Sequence, residues 1–355
     1  MANVNCVRYS NIELLRLLSI SLIQLMHIVS IVHQQSNLLF INIQVENLIN
    51  VIGNTGVTIF VLISGWFGIN FKKDRIVDFV LISIVYSIIL SFIQDGVNLF
   101  AMLNAVYQIL SYQSWFMACY FILYMVSPFV NEYILKTDRS RLRTLIIILV
   151  VFLGGIPTLL SAPNGTVIYW GGKCLGYFLT LYIIGRYMRL YHEDGPLLGG
   201  AFLMFLIPFI LLYGLWFVVS LLPVPYNNPH NYLVNDSSPF ILIEAIGIFY
   251  MFKKIKFQSL VINSLAGSVF SIYLMGNIYK TLDAQIFNLV EKADRYTFVF
   301  YLIGEFCSAV LICILIDKVY RLFFGNVHKW LVQYIVKLTE CGYNRINYYL
   351  EKYAV

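Results

Sequence analysis

One apolar stretch near the N-terminus carries Glu13, Arg16, Gln24, His27 and His33. A charge at mid-bilayer costs roughly 2.5–3.5 kcal/mol on insertion scales, so such groups persist only where they face a protein interior and find partners. Glu13 and Arg16 are three residues apart and can pair on one helix face. Arg16 and His27 share a face, separated by about 16 Å along the axis. Gln24 falls near that face, one turn before His27. A neutral imidazole, with an ordinary pKa near 6.5, suits a general base that deprotonates an attacking hydroxyl. It can also accept an acyl group as a nucleophile. Arginine is never a base, but it can hold a phosphate or orient a carbonyl, and Glu13 would hold the arginine. Glu13 and Arg16 are also near enough to the span's start to snorkel, and His33 is close to water at the other end. His27 is too deep for that.

A second cluster, Lys72, Lys73 and Arg75, follows a run rich in small residues, Gly53, Gly56, Ser64, Gly65 and Gly68. The small residues permit close helix approach. The cations by themselves read as ordinary loop charge, and they suit phosphate equally well. Glu244 and Glu305 are further acids inside apolar runs, open to a structural hydrogen bond, to orienting His27 or to a sugar contact.

The elements that must position these groups follow from composition. Of 355 residues, 60% are hydrophobic and only 12% charged, with a mean hydropathy of +0.78. A soluble domain carries about 25% charged residues. A soluble enzyme, a disordered chain and a nucleic-acid-binding module are thereby excluded. Apolar runs of membrane-crossing length recur, and the chain reads as a polytopic membrane protein. Ten spans are expected, at about 11–33, 50–70, 76–94, 114–134, 144–162, 173–191, 199–222, 239–253, 260–281 and 297–317. With the N-terminus inside, nineteen Lys and Arg residues fall on the inner side and four on the outer, with Arg16 inside a span. That asymmetry predicts ten helices with both termini cytoplasmic.

The expected fold is therefore an all-α membrane bundle. Residues 1–319 form the membrane domain, and 320–355 form an amphipathic tail on the cytoplasmic membrane surface. The outer loops at 162–166 and 223–239 are rich in Pro and Asn, and the second is long enough to cover a cavity. No cleavable signal and no internal repeat are evident. The six cysteines form neither a disulfide framework nor a metal-ligand spacing, so no metal is expected.

Five stretches, in order between about residues 8 and 317, resemble the acyltransferase family 3 membrane proteins, bacterial enzymes that O-acylate cell-surface sugars. They are Asn-Ile-Glu-Leu-Leu-Arg-Leu-Leu-Ser-Ile (11–20) with His27; Gly-Val-Thr-Ile-Phe-Val-Leu-Ile-Ser-Gly-Trp-Phe (56–67); and Ser-Trp-Phe through Ser-Pro-Phe-Val-Asn (114–131). The last two are Leu-Tyr-Ile-Ile-Gly-Arg-Tyr-Met-Arg-Leu-Tyr (181–191) and Ser-Pro-Phe-Ile-Leu-Ile-Glu-Ala-Ile-Gly (238–247). The resemblance implies an acyl-CoA donor, acetyl-CoA above all, and a saccharide acceptor in a bacterial inner membrane. It matches Arg16 and His27 to the family's first-helix pair. It matches Lys72 and Arg75, flanking Lys73, to a basic pair that meets the CoA phosphates. Trp115, Glu244 and Asn277 are read as acceptor contacts. One departure stands out. The family's Ile-Tyr-Leu-x-His becomes Ile272-Tyr273-Leu274-Met275-Gly276, with Asn277 next. Two alternatives stand beside this reading: a flippase or exporter of lipid-linked saccharide, which the polar stripe and 16% aromatic content also suit, and an inactive family member, which Gly276 suggests.

Overall fold

A single helix, α1 (Ser10–Gln35), carries the polar stripe of the first span. The computed structural model describes residues 9–35, 40–110, 114–159, 172–221, 233–278 and 295–353, and all regular structure among them is helical. In chain order the further helices are α2 (Phe40–Gly53), α3 (Thr55–Phe67), α4 (Lys73–Asp95), α5 (Leu99–Leu110), α6 (Trp115–Lys136) and α7 (Arg139–Leu159). They continue with α8 (Leu175–Tyr191), α9 (Leu198–Ser220), α10 (Pro239–Lys254), α11 (Leu260–Ala266), α12 (Val269–Leu274) and α13 (Arg295–Tyr353). Helix α1 sits at the centre and packs on α2, α3, α10, α11, α12 and α13. Its Leu15, Ile20 and Ile28 join Leu62, Phe178, Phe249 and Ile272 in one buried core.

Seven stretches among the described residues are long and apolar enough to cross a membrane: α1, α2–α3 together, α4, α6, α7, α9 and α13. Ten are expected from the sequence; at the other three expected positions the described helices are too short to count among these seven. Helix α8 has 17 residues and α10 has 16, bounded by Pro239 and by Lys253–Lys254. The ninth expected span is two short helices, α11 and α12, broken at Gly267–Ser268. The second expected span also differs, because its apolar stretch begins at Asn42 rather than at 50. Asn42, Gln44 and Glu46 make that segment look like a loop, yet all three are buried, and Gln44 donates to Ser220 Oγ at 2.7 Å.

Close approach of α3 and α8 is set by two interlocked glycines. A Cβ on Gly65 would stand 2.3 Å from Tyr182 O, and one on Gly185 would stand 2.5 Å from Leu62 O. No side chain fits there. The segment 68–72 that follows α3 is pinned from two other helices. Ile69 N donates to Tyr182 Oη at 2.9 Å, Lys72 N to Tyr124 Oη at 2.9 Å, and Asn131 Nδ2 to Ile69 O at 3.2 Å. Tyr182 in turn donates to Asn131 Oδ1 at 2.8 Å. Three of the quoted stretches thus meet at one short connection, and that connection aims the basic cluster.

Helix α13 runs unbroken through residues 319–320 and continues to Tyr353. It lies antiparallel to α4, with Tyr86 against Asp317, Asp78 against His328 and Lys73 against Glu340.

Candidate active site

Two cavities flank α4, one towards each end. The first, of about 500 Å³, is lined by Gln24 and His27 of α1, by Ser87, Ser91, Gln94 and Asp95 of α4, and by Asn104 and Gln108 of α5. Ser114 and Tyr273 complete it, and their hydroxyls lie 2.9 Å apart. His27 is exposed to this space, whereas Gln24 is buried and donates to Ile272 O at 3.2 Å. The wall contributed by α5 is a product of helical periodicity. Ala101, Asn104, Ala105 and Gln108 face the cavity, while Phe100, Leu103 and Tyr107 point outward. The chemistry offered is a set of amide and hydroxyl groups, with the Asp95 carboxyl, around one imidazole. It suits a ligand rich in hydroxyls.

The second cavity, of about 570 Å³, is lined by Arg75, Asp78, Phe79 and Ile82 of α4, by aromatic residues of α6 and α12, and by Tyr320, Arg321, His328 and Lys329 of α13. Ile82 is the last α4 residue of this cavity and Ser87 the first of the other, about 7.5 Å apart along the axis. The partition between them is aromatic. Phe270 packs on Phe79 at 4.8 Å, Phe79 stacks on Tyr120, Tyr120 on Phe116, and Phe116 packs on Tyr273 at 4.7 Å. Beside it lies a buried carboxylate, Asp317, satisfied by Tyr86 Oη, Ser268 Oγ (2.6 Å) and Arg321 Nε (2.7 Å). Three donors around one buried carboxylate offset its loss of hydration and lock α13 to α4 and α12.

Residues 9–318 match the family model described as an acyltransferase domain, Acyl_transf_3. The chain belongs to the acyltransferase 3 family. No curated protein and no solved structure matches it. Residues 319–355 lie beyond the matched part, which spans nearly the whole chain. Membership makes the chain a membrane-like helical acyltransferase, and an acyl donor follows from the family.

Within this acyltransferase 3 chain, the residues expected from the sequence fall into three groups. His27 lines the first cavity and Arg75 the second. Arg16 bonds Glu13 through Nη1, at 3.0 Å to Oε1 and 3.1 Å to Oε2, on α1. Neither lines the two cavities. Lys72 donates its backbone N–H to Tyr124 and Lys73 pairs with Glu340 at 3.2 Å; of the three cations, only Arg75 lines the second cavity. Trp115 stands next to Ser114 and packs edge-on against Phe116 and Phe178, with Lys173 Nζ 5.7 Å from its ring centre. Glu244 is fully buried in α10, away from both cavities, with no hydrogen-bond partner for either carboxylate oxygen among the described residues. Asn277 lies in the turn Gly276–Ile278, and its side chain lies outside the described residues. The described residues hold no cluster of His, Cys, Asp and Glu that could bind a metal.

The sequence reading missed α5 and the far half of α13. For α5 a signal was present, since polar and small residues at 101, 104, 105 and 108 keep helical spacing in a segment taken as a connection. For His328 and Lys329 no local pattern marks a cavity, because only the fold of α13 against α4 brings them to it.

Proposed function

We propose that this protein is an integral-membrane O-acyltransferase that moves an acyl group, acetyl in the simplest case, from acyl-CoA to a sugar hydroxyl of a polysaccharide, lipopolysaccharide or lipid-linked saccharide. The observation that carries the reading is the division of labour along α4. One end offers an imidazole among amides and hydroxyls, and the other offers cations among aromatic rings. The ends from Arg75 to Asp95 are about 30 Å apart, the thickness of a bilayer's hydrocarbon core. In this reading the chain has ten spans with both termini cytoplasmic, in a bacterial inner membrane. The Arg75 cavity faces the cytoplasm, where CoA is found.

His27 takes the proton of the acceptor hydroxyl as its oxygen attacks the thioester carbonyl. The C–S bond then breaks, and the imidazolium returns the proton to the departing thiolate. The products are the sugar ester and free CoA thiol. Gln94, Asn104 and Gln108 supply hydrogen bonds for the sugar and for the developing oxyanion. Arg16, held by Glu13, keeps a positive charge on the α1 face that leads from the donor end to His27.

The test is transfer from radiolabelled acetyl-CoA to envelope saccharides by purified protein in nanodiscs. His27→Ala should lower turnover by about 10²–10⁴-fold, the usual contribution of a general base, while the protein inserts and binds donor normally. A correctly inserted variant with wild-type turnover would sink the proposal.

A further inference from the structure

The second cavity includes a wall that family membership does not account for. Its Tyr320, Arg321, His328 and Lys329 all lie beyond residue 318, where the family match ends. This wall is held in place by specific bonds. His328 is buried, its Nε2 lies 2.8 Å from Asp78 Oδ1 of α4, and its Nδ1 lies 2.9 Å from Tyr320 Oη. Tyr320 stacks on Phe324 and meets Tyr86 edge-on. Arg321 spends Nε on Asp317, which leaves the two terminal nitrogens of its fork. Among the described residues, Arg75 and Lys329 form no ion pair, unlike Lys73 and Arg321. The cavity therefore has two uncommitted cations and one half-committed one facing each other across α4 and α13. Asp78 is its carboxylate, and His328 occupies that group. In the same lining, the rings of Phe79 and Phe121 stack on each other. Cations around an aromatic floor are what a purine nucleotide with phosphates requires.

We infer that the far half of α13 is the second wall of the nucleotide site for the donor. Lys329 and the Arg321 fork contact phosphate opposite Arg75, and Asp78–His328–Tyr320 is the clasp that sets their position. The inference rests on the acyl-CoA reading above and adds to it. The donor's 3′-phosphoadenosine end is gripped from both sides, so the segment after the family domain is part of the binding machinery. Lys329 touches the ligand, and His328 is a positioning residue.

The experiment measures CoA, dephospho-CoA and acetyl-pantetheine binding to the full chain in nanodiscs of neutral lipid. Lys329→Glu should weaken CoA at least tenfold. Lys329→Arg should restore most of the affinity, and acetyl-pantetheine binding should not change. His328→Ala should weaken CoA, and His328→Gln, which keeps a donor and an acceptor, should recover part of the loss. Melting temperatures of the variants separate loss of the site from loss of the fold. If Arg75→Ala weakens CoA while Lys329→Glu, Lys329→Ala and His328→Ala do not, the donor reading stands and this inference is wrong. If folded wild type binds no CoA, both are wrong. An anionic lipid headgroup is the other source of phosphate. Repeating the melts in phosphatidylglycerol tests it. A Lys329→Glu effect that appears only as lost stabilisation by that lipid, with CoA binding intact, overturns the inference.

Discussion

The Gln24 side chain occupies the space that any side chain at position 276 would need: a Cβ on Gly276 would stand 1.9 Å from Gln24 Nε2. Gly276 and Gln24 thus form one packing unit that reaches the edge of the His27 cavity. Gly276→Ala should push the amide off Ile272 O and cost about 1–3 kcal/mol, the usual range for overpacking. The loss should be largely relieved in Gln24→Ala/Gly276→Ala. A double-mutant cycle on thermal unfolding measures the coupling, and additive effects would refute the shared volume.

The α5 wall gives a prediction about the acceptor. Asn104 and Gln108 face the cavity from a helix whose other side is apolar and exposed. Asn104→Ala/Gln108→Ala should raise the acceptor KM severalfold and leave donor binding as in the wild type. Phe100→Leu, on the outward face, should change neither. Steady-state kinetics with each substrate varied in turn would show the split.

Glycines 65 and 185 give a prediction about geometry. Gly65→Ala places a Cβ against backbone, which cannot swing away as a side-chain tip can. We expect a loss above about 2 kcal/mol and weaker donor binding, because the 68–72 connection moves with α3. Gly214→Ala, where nothing lies within 4 Å of the added carbon, is the control. Denaturation midpoints and CoA affinity of the two variants would be compared.

Glu244 is a buried carboxyl with no hydrogen-bond partner among the described residues. An unpaired buried acid is costly, and the isosteric amide avoids burying a charge. Glu244→Gln should therefore leave the melting temperature unchanged or higher. A fall in turnover alongside that gain would mark Glu244 as a group kept for function at the expense of stability.

Asp236 lies in the turn before α10, outside the long apolar helices, and is buried. Burial raises its pKa from 3.8 to about 6, against an opposing pull from Lys173. The folded state thus holds the proton more tightly than the unfolded chain. Stability from this group is full below about pH 4 and declines as pH rises through about 6, by at most about 3 kcal/mol. In unfolding measurements from pH 4 to 7, wild type should lose stability relative to Asp236→Asn, in which this group cannot titrate. A constant difference would refute the assignment.

Composition and hydrophobic runs alone settled that the chain is all-helical and membrane-like, because 12% charge cannot clothe a soluble globule. The ordered stretches led to the family, and the spacing of His27 on α1 put the imidazole on a polar helix face. These properties are local, or summed along the chain, and need no partner. What the tertiary structure decided is which groups meet. Lys72, Lys73 and Arg75 are equivalent by position, yet Glu340 pairs with Lys73 and, of the three, only Arg75 lines the cavity. Glu244 is open in sequence to a structural or a site role, and the packing of α10 buries it outside the lining of both cavities. His328 reaches Asp78 across 250 residues because α13 does not stop at its apolar part. A helical pattern specifies its own faces. What it faces depends on how the other helices pack, and that packing is long-range.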